Sequence, residues 1–201
     1  MHKDGTVDFE SYENLIEFHI QNNTDALVPV GTTGESATLN HNEHCKVVSF
    51  VVEKVAKRIP VIAGTGANST SEAIELTKYA YEAGVDGCLS VTPYYNKPTQ
   101  EGLYLHYKSI AEAVPVPLIP YNVPGRTGSN MLPETVLKLA NQVENIIGIK
   151  EAAGDMAQMM RIIKDRPEGF LVISGDDLLA LPTVTAGGDG VISVLAQGIP
   201  N

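Results

Sequence analysis

The chain has 201 residues, 43% of them hydrophobic, and a formal net charge of −10 at pH 7. This length allows one domain with a substantial core. The negative charge argues against nucleic acid or an anionic membrane as a partner, because both carry the same sign of charge. The first residues lack the apolar segment of a signal peptide, and no apolar run is long enough to cross a bilayer. A cytoplasmic location is therefore expected, with Cys45 and Cys88 as free thiols.

Seven short apolar runs predict strands, and helical periodicity predicts helices between them. The predicted strands cover residues 26–30, 61–63, 88–92, 117–122, 146–151, 170–174 and 191–194. The first three predicted helices run from 8 to about 22, from 40 to before 60, and from 69 to about 82. A fourth ends near 113, and three more cover 134–141, 156–164 and 178–186.

Polar residues at the predicted helix ends support these boundaries. Asp8 is a candidate N-cap for the first helix. Asn40 with Glu43, and Ser69 with Glu72, have the three-residue spacing of a capping box. Gly84 follows the third helix, where glycine often ends a helix in a left-handed conformation.

Strand and helix alternate at the length of a βα unit, which predicts a parallel α/β sheet. Seven strands in this rhythm favour a (β/α)₈ TIM barrel over an open doubly wound sheet, within a single domain over residues 1–201. The series begins on a helix and ends on a strand. We therefore expect an incomplete barrel that lacks its first strand and its last barrel helix.

The predicted strand 146–151 is apolar throughout and then reaches Lys150. A strand that is apolar on both faces is typical of parallel sheets covered by helices. Partial desolvation at the end of such a strand lowers the pKa of a lysine and supplies an amine that attacks carbonyl groups. The alternative is a lysine whose stem is packed and whose ammonium lies in water.

In a barrel, the residues that follow each strand meet on one rim, where active sites lie. That rim carries an amine, several hydroxyls and a cation: Thr32, Thr33, Tyr94, Tyr95, Tyr121, Arg126, Lys150 and Gly175-Asp176-Asp177. A Schiff-base enzyme needs such groups for nucleophilic attack, proton transfer and binding of a substrate carboxylate. Taken singly, the threonines also suit a turn, Tyr121 a core and Arg126 a solvated surface.

Five segments together resemble one family, the 4-hydroxy-tetrahydrodipicolinate synthases, also called dihydrodipicolinate synthases. They are Gly31-Thr32-Thr33-Gly34-Glu35-Ser36, Tyr94-Tyr95-Asn96-Lys97-Pro98, Tyr121-Asn122-Val123-Pro124-Gly125-Arg126-Thr127-Gly128, Ile147-Gly148-Ile149-Lys150-Glu151 and Ser174-Gly175-Asp176-Asp177. Members are pyruvate-dependent class I aldolases of lysine (diaminopimelate) biosynthesis. The resemblance covers essentially the whole chain and also implies a C-terminal helical region beyond the barrel, which is expected to be missing here.

The resemblance implies condensation of pyruvate with L-aspartate 4-semialdehyde, without a metal or organic cofactor. Lys150 would form the imine with pyruvate, and a proton-relay triad would consist of Tyr121, Thr32 and Tyr95. The substrate-binding residues would be Thr33, Arg126, Gly175 and Ile192.

The family also implies an oligomer, a dimer of dimers, in which Tyr95 is contributed across a tight dimer interface. A feedback site for L-lysine at that interface would consist of Ser36, Ala37, His41, His44, Asn68, Glu72 and Tyr94. The Glu72 carboxylate cannot fully serve both this site and a capping box with Ser69, and we favour the lysine site. His41 and His44 are one turn apart, a spacing compatible with a metal, but lack a third ligand; no metal site is expected.

Three other interpretations remain open at this stage. One is a related pyruvate lyase acting on N-acetylneuraminate or a 2-keto-3-deoxy-sugar acid, against which Arg126 and the Thr32-Thr33 pair argue. Another is an inactive truncated fragment of the synthase. The third is a phosphate-binding barrel, suggested by the glycine-rich segment 187–190, which a turn between helix and strand explains about as well.

Overall fold

A computed structural model describes residues 1–200 of the chain. Six parallel strands form one sheet in which each strand pairs with the next in chain order. The strands are β1 (Ile62–Gly64), β2 (Gly87–Val91), β3 (Leu118–Asn122), β4 (Gly148–Glu151), β5 (Leu171–Ser174) and β6 (Gly190–Val191). The sheet curls into an incomplete (β/α)₈ barrel, as the alternation of elements predicts.

Eight α-helices accompany the sheet, most of them between successive strands. They are α1 (Phe9–Gln21), α2 (His41–Val55), α3 (Thr70–Ala83), α4 (Gln100–Ala113), α5 (Pro124–Thr127), α6 (Pro133–Gln142), α7 (Met156–Asp165) and α8 (Ala180–Thr185). Single 3₁₀ turns occur at Ser36–Thr38, Asp177–Leu179 and Leu195–Gln197. Across residues 1–200, every helix is too short or too polar to span a membrane.

Local polar contacts mark the beginnings of α1 and α2 as predicted, but the cap predicted for α3 is absent. The Asp8 carboxylate accepts a hydrogen bond from the Ser11 N–H, so Asp8 is the N-cap of α1. Both bonds of the capping box between Asn40 and Glu43 are formed at 3.0 Å at the start of α2. The second predicted capping box is wrong. Ser69 precedes α3 without capping it through its side chain.

Two predicted strands are shorter than their apolar runs. Residues 26–30 pair with the segment around β1 through a bridge between Leu27 and Val61 and through the Pro29 carbonyl, which accepts the Gly64 N–H at 3.0 Å. Val30 then takes a left-handed φ of 50°, which turns the chain out of extended geometry. Of residues 191–194, only Val191 belongs to a strand. The Ile192 N–H still bonds to the Ser174 carbonyl, and Val194 is already helical before the last 3₁₀ turn. The Pro/Gly-rich segment after β3 contains α5 and ends on Gly128 at φ 70°.

The two faces of the sheet are buried against different partners. The larger apolar cluster includes Leu118, Ile149 and Val172 and packs beneath the helices. A smaller inner cluster centres on Ile119 and Tyr121 and is joined by residues such as Ile192. Since successive strand residues point to opposite faces, Leu118 and Ile119 face different clusters. The inner face ends at the carboxyl edge, where Tyr121 lies.

Candidate active site

Lys150 lies near the end of β4, with Tyr121 of β3 and Ile173 of β5 opposite it in the sheet register. Only 9% of its surface is exposed, and its Nζ lies 4.2 Å from the centroid of the Tyr121 ring. Burial lowers the pKa of Lys150 to about 8, although Asp177 opposes this decrease; Arg126 adds to it. A pKa near 8 leaves a useful fraction of the amine unprotonated near neutral pH, as a nucleophile requires.

Tyr121, whose ring lies against this amine, carries a hydroxyl that can act as an acid or base. Burial raises the pKa of Tyr121, while the Thr32 side chain and the positive charge of Arg126 partly offset the increase. Tyr121 therefore stays protonated near neutral pH and can donate a hydrogen bond or pass a proton. Thr32 approaches from the exposed turn that follows the Leu27 bridge.

Backbone atoms shape the wall of the site beside Lys150. The Gly175 N–H donates to the carbonyl of Glu151 at 2.8 Å, which continues the sheet pairing past β5. A Cβ on Gly175 would lie 2.9 Å from Lys150 Cε and 2.8 Å from Ala152 Cβ. The close approach of the lysine stem therefore requires glycine here. Ile192 donates its N–H to the Ser174 carbonyl at 2.9 Å and packs against the inner cluster.

The remaining predicted substrate-site residues lie further out. Arg126 is exposed on α5, and its charge acts on both Tyr121 and Lys150. Thr33 is exposed in the same turn as Thr32. Tyr95 is 91% exposed and has a left-handed φ of 73°. Within one chain its ring is therefore not packed against the buried amine.

The predicted lysine-binding residues form two contacting groups. His41 Nε2 lies 2.7 Å from Glu72 Oε1, which joins α2 to α3. His44 Nε2 lies 2.9 Å from the carbonyl of Gly64.

The second group connects the two loops that follow β1 and β2. The Asn68 amide donates to the Tyr94 carbonyl at 3.2 Å. The last two predicted members, Ser36 and Ala37, lie in the 3₁₀ turn just before α2.

Two carboxylates near Lys150 have roles that the sequence patterns did not assign. Asp177 opposes the loss of the Lys150 proton and accepts hydrogen bonds at 3.1 Å from the N–H groups of Val194 and Leu195. Glu151 is fully buried on the opposite face of β4. The one available signal was its place directly after Lys150, which the alternation of strand side chains puts on the helix side.

A parallel βα sheet with a desolvated lysine on its inner rim has the architecture and the amine nucleophile of a (β/α)-barrel lyase. The whole chain, residues 1–201, matches the Dihydrodipicolinate synthetase family. It is 59% identical over 198 residues to a 4-hydroxy-tetrahydrodipicolinate synthase of Syntrophus aciditrophicus, covering 98% of this chain and 68% of that protein. The chain therefore belongs to the dihydrodipicolinate synthetase family.

Solved structures of the family share this fold. The dihydrodipicolinate synthase of Acinetobacter baumannii, chloride inhibited and complexed with pyruvate, superimposes with a TM-score of 0.97 at 54% identity, over 100% of this chain and 68% of that one. The lysine-bound enzyme of Cyanidioschyzon merolae superimposes with a TM-score of 0.93 at 46% identity, over 96% of this chain and 65% of that one. A monomeric dihydrodipicolinate synthase variant superimposes with a TM-score of 0.97 at 48% identity, over 99% of this chain and 67% of that one.

Replacing Gly175 by alanine tests the packing around Lys150. The added methyl group would overlap the lysine stem and Ala152, so G175A is expected to lower the free energy of unfolding by about 1–3 kcal/mol. Urea unfolding followed by circular dichroism measures the change. G125A is the matched control, because a Cβ at Gly125 meets nothing within 4 Å. Equal stability of the two variants would contradict the predicted overlap.

Proposed function

We propose that this chain catalyses the condensation of pyruvate with L-aspartate 4-semialdehyde to 4-hydroxy-tetrahydrodipicolinate, a step of lysine biosynthesis. The observation that carries the proposal is the buried Lys150 amine, with its lowered pKa, against Tyr121. The pyruvate complex of the related Acinetobacter baumannii structure supports the first substrate.

In the first half of the reaction, the neutral Lys150 amine attacks the carbonyl carbon of pyruvate. The carbinolamine loses water and becomes a protonated imine, with Tyr121 supplying the proton that lets the oxygen leave. The positive imine nitrogen withdraws electrons, so the methyl carbon loses a proton to the Tyr121 phenolate and becomes an enamine carbon. Because the imine itself is the electron sink, this chemistry needs no metal or organic cofactor.

In the second half, the enamine carbon attacks the aldehyde carbon of the semialdehyde, and the aldehyde oxygen takes up a proton. The substrate amine then displaces the Lys150 amine from the imine carbon, which closes the ring and regenerates the free lysine. Arg126 would bind the carboxylate of the semialdehyde from the rim, and Thr33 with the backbone of Gly175 and Ile192 would contact the pyruvyl group.

The Schiff base can be trapped chemically. Incubation with pyruvate and borohydride is expected to leave a reduced pyruvyl adduct on Lys150, detected by intact mass and located by peptide mapping. Because burial lowers the pKa of this lysine to about 8, the trapping rate should rise with pH through that value as the amine loses its proton.

Two matched lysine variants test whether Lys150 is the residue that forms the adduct. K150M is expected to abolish the adduct, whereas K164M, which removes an exposed lysine on α7, should retain it. A folded chain that forms no adduct would contradict the proposed function and favour the inactive-fragment interpretation. Turnover with L-aspartate 4-semialdehyde, compared with cleavage of N-acetylneuraminate, separates the synthase from a sugar-acid lyase.

We further propose that the active protein is a homo-oligomer, with the dimer of dimers of the family as its expected form. Tyr95 supports this, because a 91% exposed aromatic ring held at φ 73° lacks the packing that usually offsets such strain. Across a dimer interface, Tyr95 of a second copy would reach the site and complete the proton relay with Tyr121 and Thr32.

Substitution at the proposed interface tests the assembly. Sedimentation of the wild-type chain is expected to give a dimer or tetramer, and Y95D is expected to dissociate it because a buried unpaired charge is costly. Y81D is the control, since Tyr81 is also exposed, on α3. A wild-type chain that stays monomeric at micromolar concentration, as the related monomeric variant does by name, would overturn this proposal.

L-lysine is the proposed feedback ligand of the group formed by His41, Glu72 and their predicted partners. The Glu72 carboxylate is available to an ammonium group, since its side chain is 37% exposed and its partner is an exposed histidine. The lysine-bound relative supports the choice of ligand.

Calorimetric titration with L-lysine tests this site. E72Q is expected to weaken binding by about 10- to 150-fold, because a charge-assisted hydrogen bond contributes about 1.5–3 kcal/mol. E75Q removes an exposed carboxylate one turn further along α3 and should bind L-lysine like the wild type. Equal affinities for E72Q and wild type would remove Glu72 from the site.

A further inference from the structure

A buried polar cluster lies behind Lys150, on the helix side of the sheet. We call its four members, Asn122, Asn130, Glu151 and Gln158, the amide–carboxylate cluster. The Glu151 carboxylate accepts hydrogen bonds from the Asn122 amide at 3.0 and 3.1 Å, from the Gln158 amide at 3.0 Å and from the Ala153 N–H at 2.7 Å. None of the chemistry proposed above uses this carboxylate.

The cluster and the active site depend on the same register between β3 and β4, and they lie on opposite faces of the sheet. Tyr121 pairs with Lys150 and the next two residues, Asn122 and Glu151, pair with each other. Successive residues point to opposite faces, so a slip of β4 by one residue would move Lys150 away from the face of Tyr121 and Glu151 away from the face of Asn122. The hydrogen bonds between Asn122 and Glu151 therefore hold the pairing that places the Tyr121 ring beside the amine.

The same cluster also fixes the segment that follows Arg126. The side-chain Oδ1 of Asn122 accepts a hydrogen bond from the Met131 N–H at 2.9 Å, and its side-chain amide nitrogen donates to Asn130 Oδ1 at 2.8 Å. Asn130 in turn contacts Gln158 of α7 at 3.0 and 3.2 Å. Arg126 lies on a helix of four residues, which has little stability of its own. Its position consequently depends on these contacts just downstream.

Burial of a carboxylate at this position carries a free-energy penalty that filling the space with an apolar side chain would avoid. Burial raises the pKa of Glu151, while its amide and N–H donors lower it. Apolar side chains of similar size often replace buried charges without loss of stability. A fully hydrogen-bonded network instead restricts direction and distance. The cluster is therefore better suited to holding geometry than to adding stability.

We propose that Glu151 is a positioning residue of the active site, which holds Lys150, Tyr121 and the Arg126 segment in their relative places through the amide–carboxylate cluster. This inference rests on the proposed function, because it assumes that Lys150 is the nucleophile. Sites of this kind tolerate displacements of only about 0.5 Å, so loosening the cluster should act on the reaction without any contact between Glu151 and substrate.

The test uses E151Q in the full chain, which keeps the shape but turns one acceptor oxygen into a donor facing the amides of Asn122 and Gln158. The rate of borohydride-dependent pyruvate trapping at saturating pyruvate is expected to fall about tenfold or more, the scale of a small misplacement of reacting groups. D189N is the matched control. Its carboxylate also accepts a strand N–H, that of Val172 at 2.7 Å, but at the start of β5. It should trap pyruvate at the wild-type rate.

A swap of the two partners tests whether the network itself matters. The double variant N122D/E151Q puts the carboxylate on β3 and the amide on β4, and it is expected to recover part of the trapping rate lost in E151Q. If E151Q does not fold, Q158M is measured in its place, because it removes one hydrogen-bond donor to Glu151 and leaves the Glu151 carboxylate unchanged. A swap that recovers nothing although it folds as stably as wild type would overturn the role of the network.

A second measurement does not depend on the reaction. Acetylation of Lys150 across a pH series, read by peptide mass, gives the pKa of the amine, which Asp177 and Arg126 also influence. Loosening the cluster in E151Q should admit water and move this pKa upward from about 8 toward 10.5, and it should speed hydrogen exchange in residues 124–131. D189N should change neither.

These outcomes separate the two proposals. A wild-type chain that traps no pyruvate, with E151Q still shifting the lysine pKa and the exchange, would overturn the proposed function and support the positioning role of Glu151. A folded E151Q with trapping, lysine pKa and exchange all unchanged would overturn the positioning role while leaving the proposed function intact.

Discussion

The pairing of β3 with β4 is the constraint on which the site depends. It brings a tyrosine ring over a lysine amine on the inner face and an amide against a carboxylate on the outer face. Desolvation of the amine on one side, and of the carboxylate on the other, follows from the burial of both faces by the parallel sheet. Neither the depressed pKa of Lys150 nor the placement of Tyr121 would survive a change in this register.

Elements dictated by local chemistry could be predicted from the sequence. Asn40 and Glu43 form a capping box because their hydrogen bonds need only the first turn of the helix that they begin. The strands that contain Tyr121 and Lys150 have apolar runs with turns at both ends. The capping box at Ser69 does not form, because the Ser69 hydroxyl bonds to the Ser71 hydroxyl at 2.9 Å and Glu72 pairs with His41 on another helix. That competition arises only after α2 and α3 have packed together.

The strand predicted at residues 26–30 illustrates a second limit. Its composition suits an extended chain, and Leu27 and the Pro29 carbonyl do pair with the segment around β1, but Pro29 has no N–H with which to continue the ladder. For the site, the motifs placed Lys150, Tyr121 and Arg126 on one rim, where their mutual electrostatic effects occur. The influence of Asp177 and the partners of Glu151 depend on which residues meet across the sheet, which spacing along the chain does not encode. The catalytic and regulatory roles of the individual residues stay predictions.

The order of the strands has a consequence for how the chain acquires its structure. Every strand from β2 to β6 pairs with the strand made just before it, so each closure spans little more than one βα unit and costs similar loop entropy. A chain emerging from the ribosome at about 5–20 residues per second can therefore add each unit to an edge that already exists. In vectorial growth of this kind, the edge of each completed strand is the template for the next, and the pairing that carries Lys150 is assembled after β1, β2 and β3.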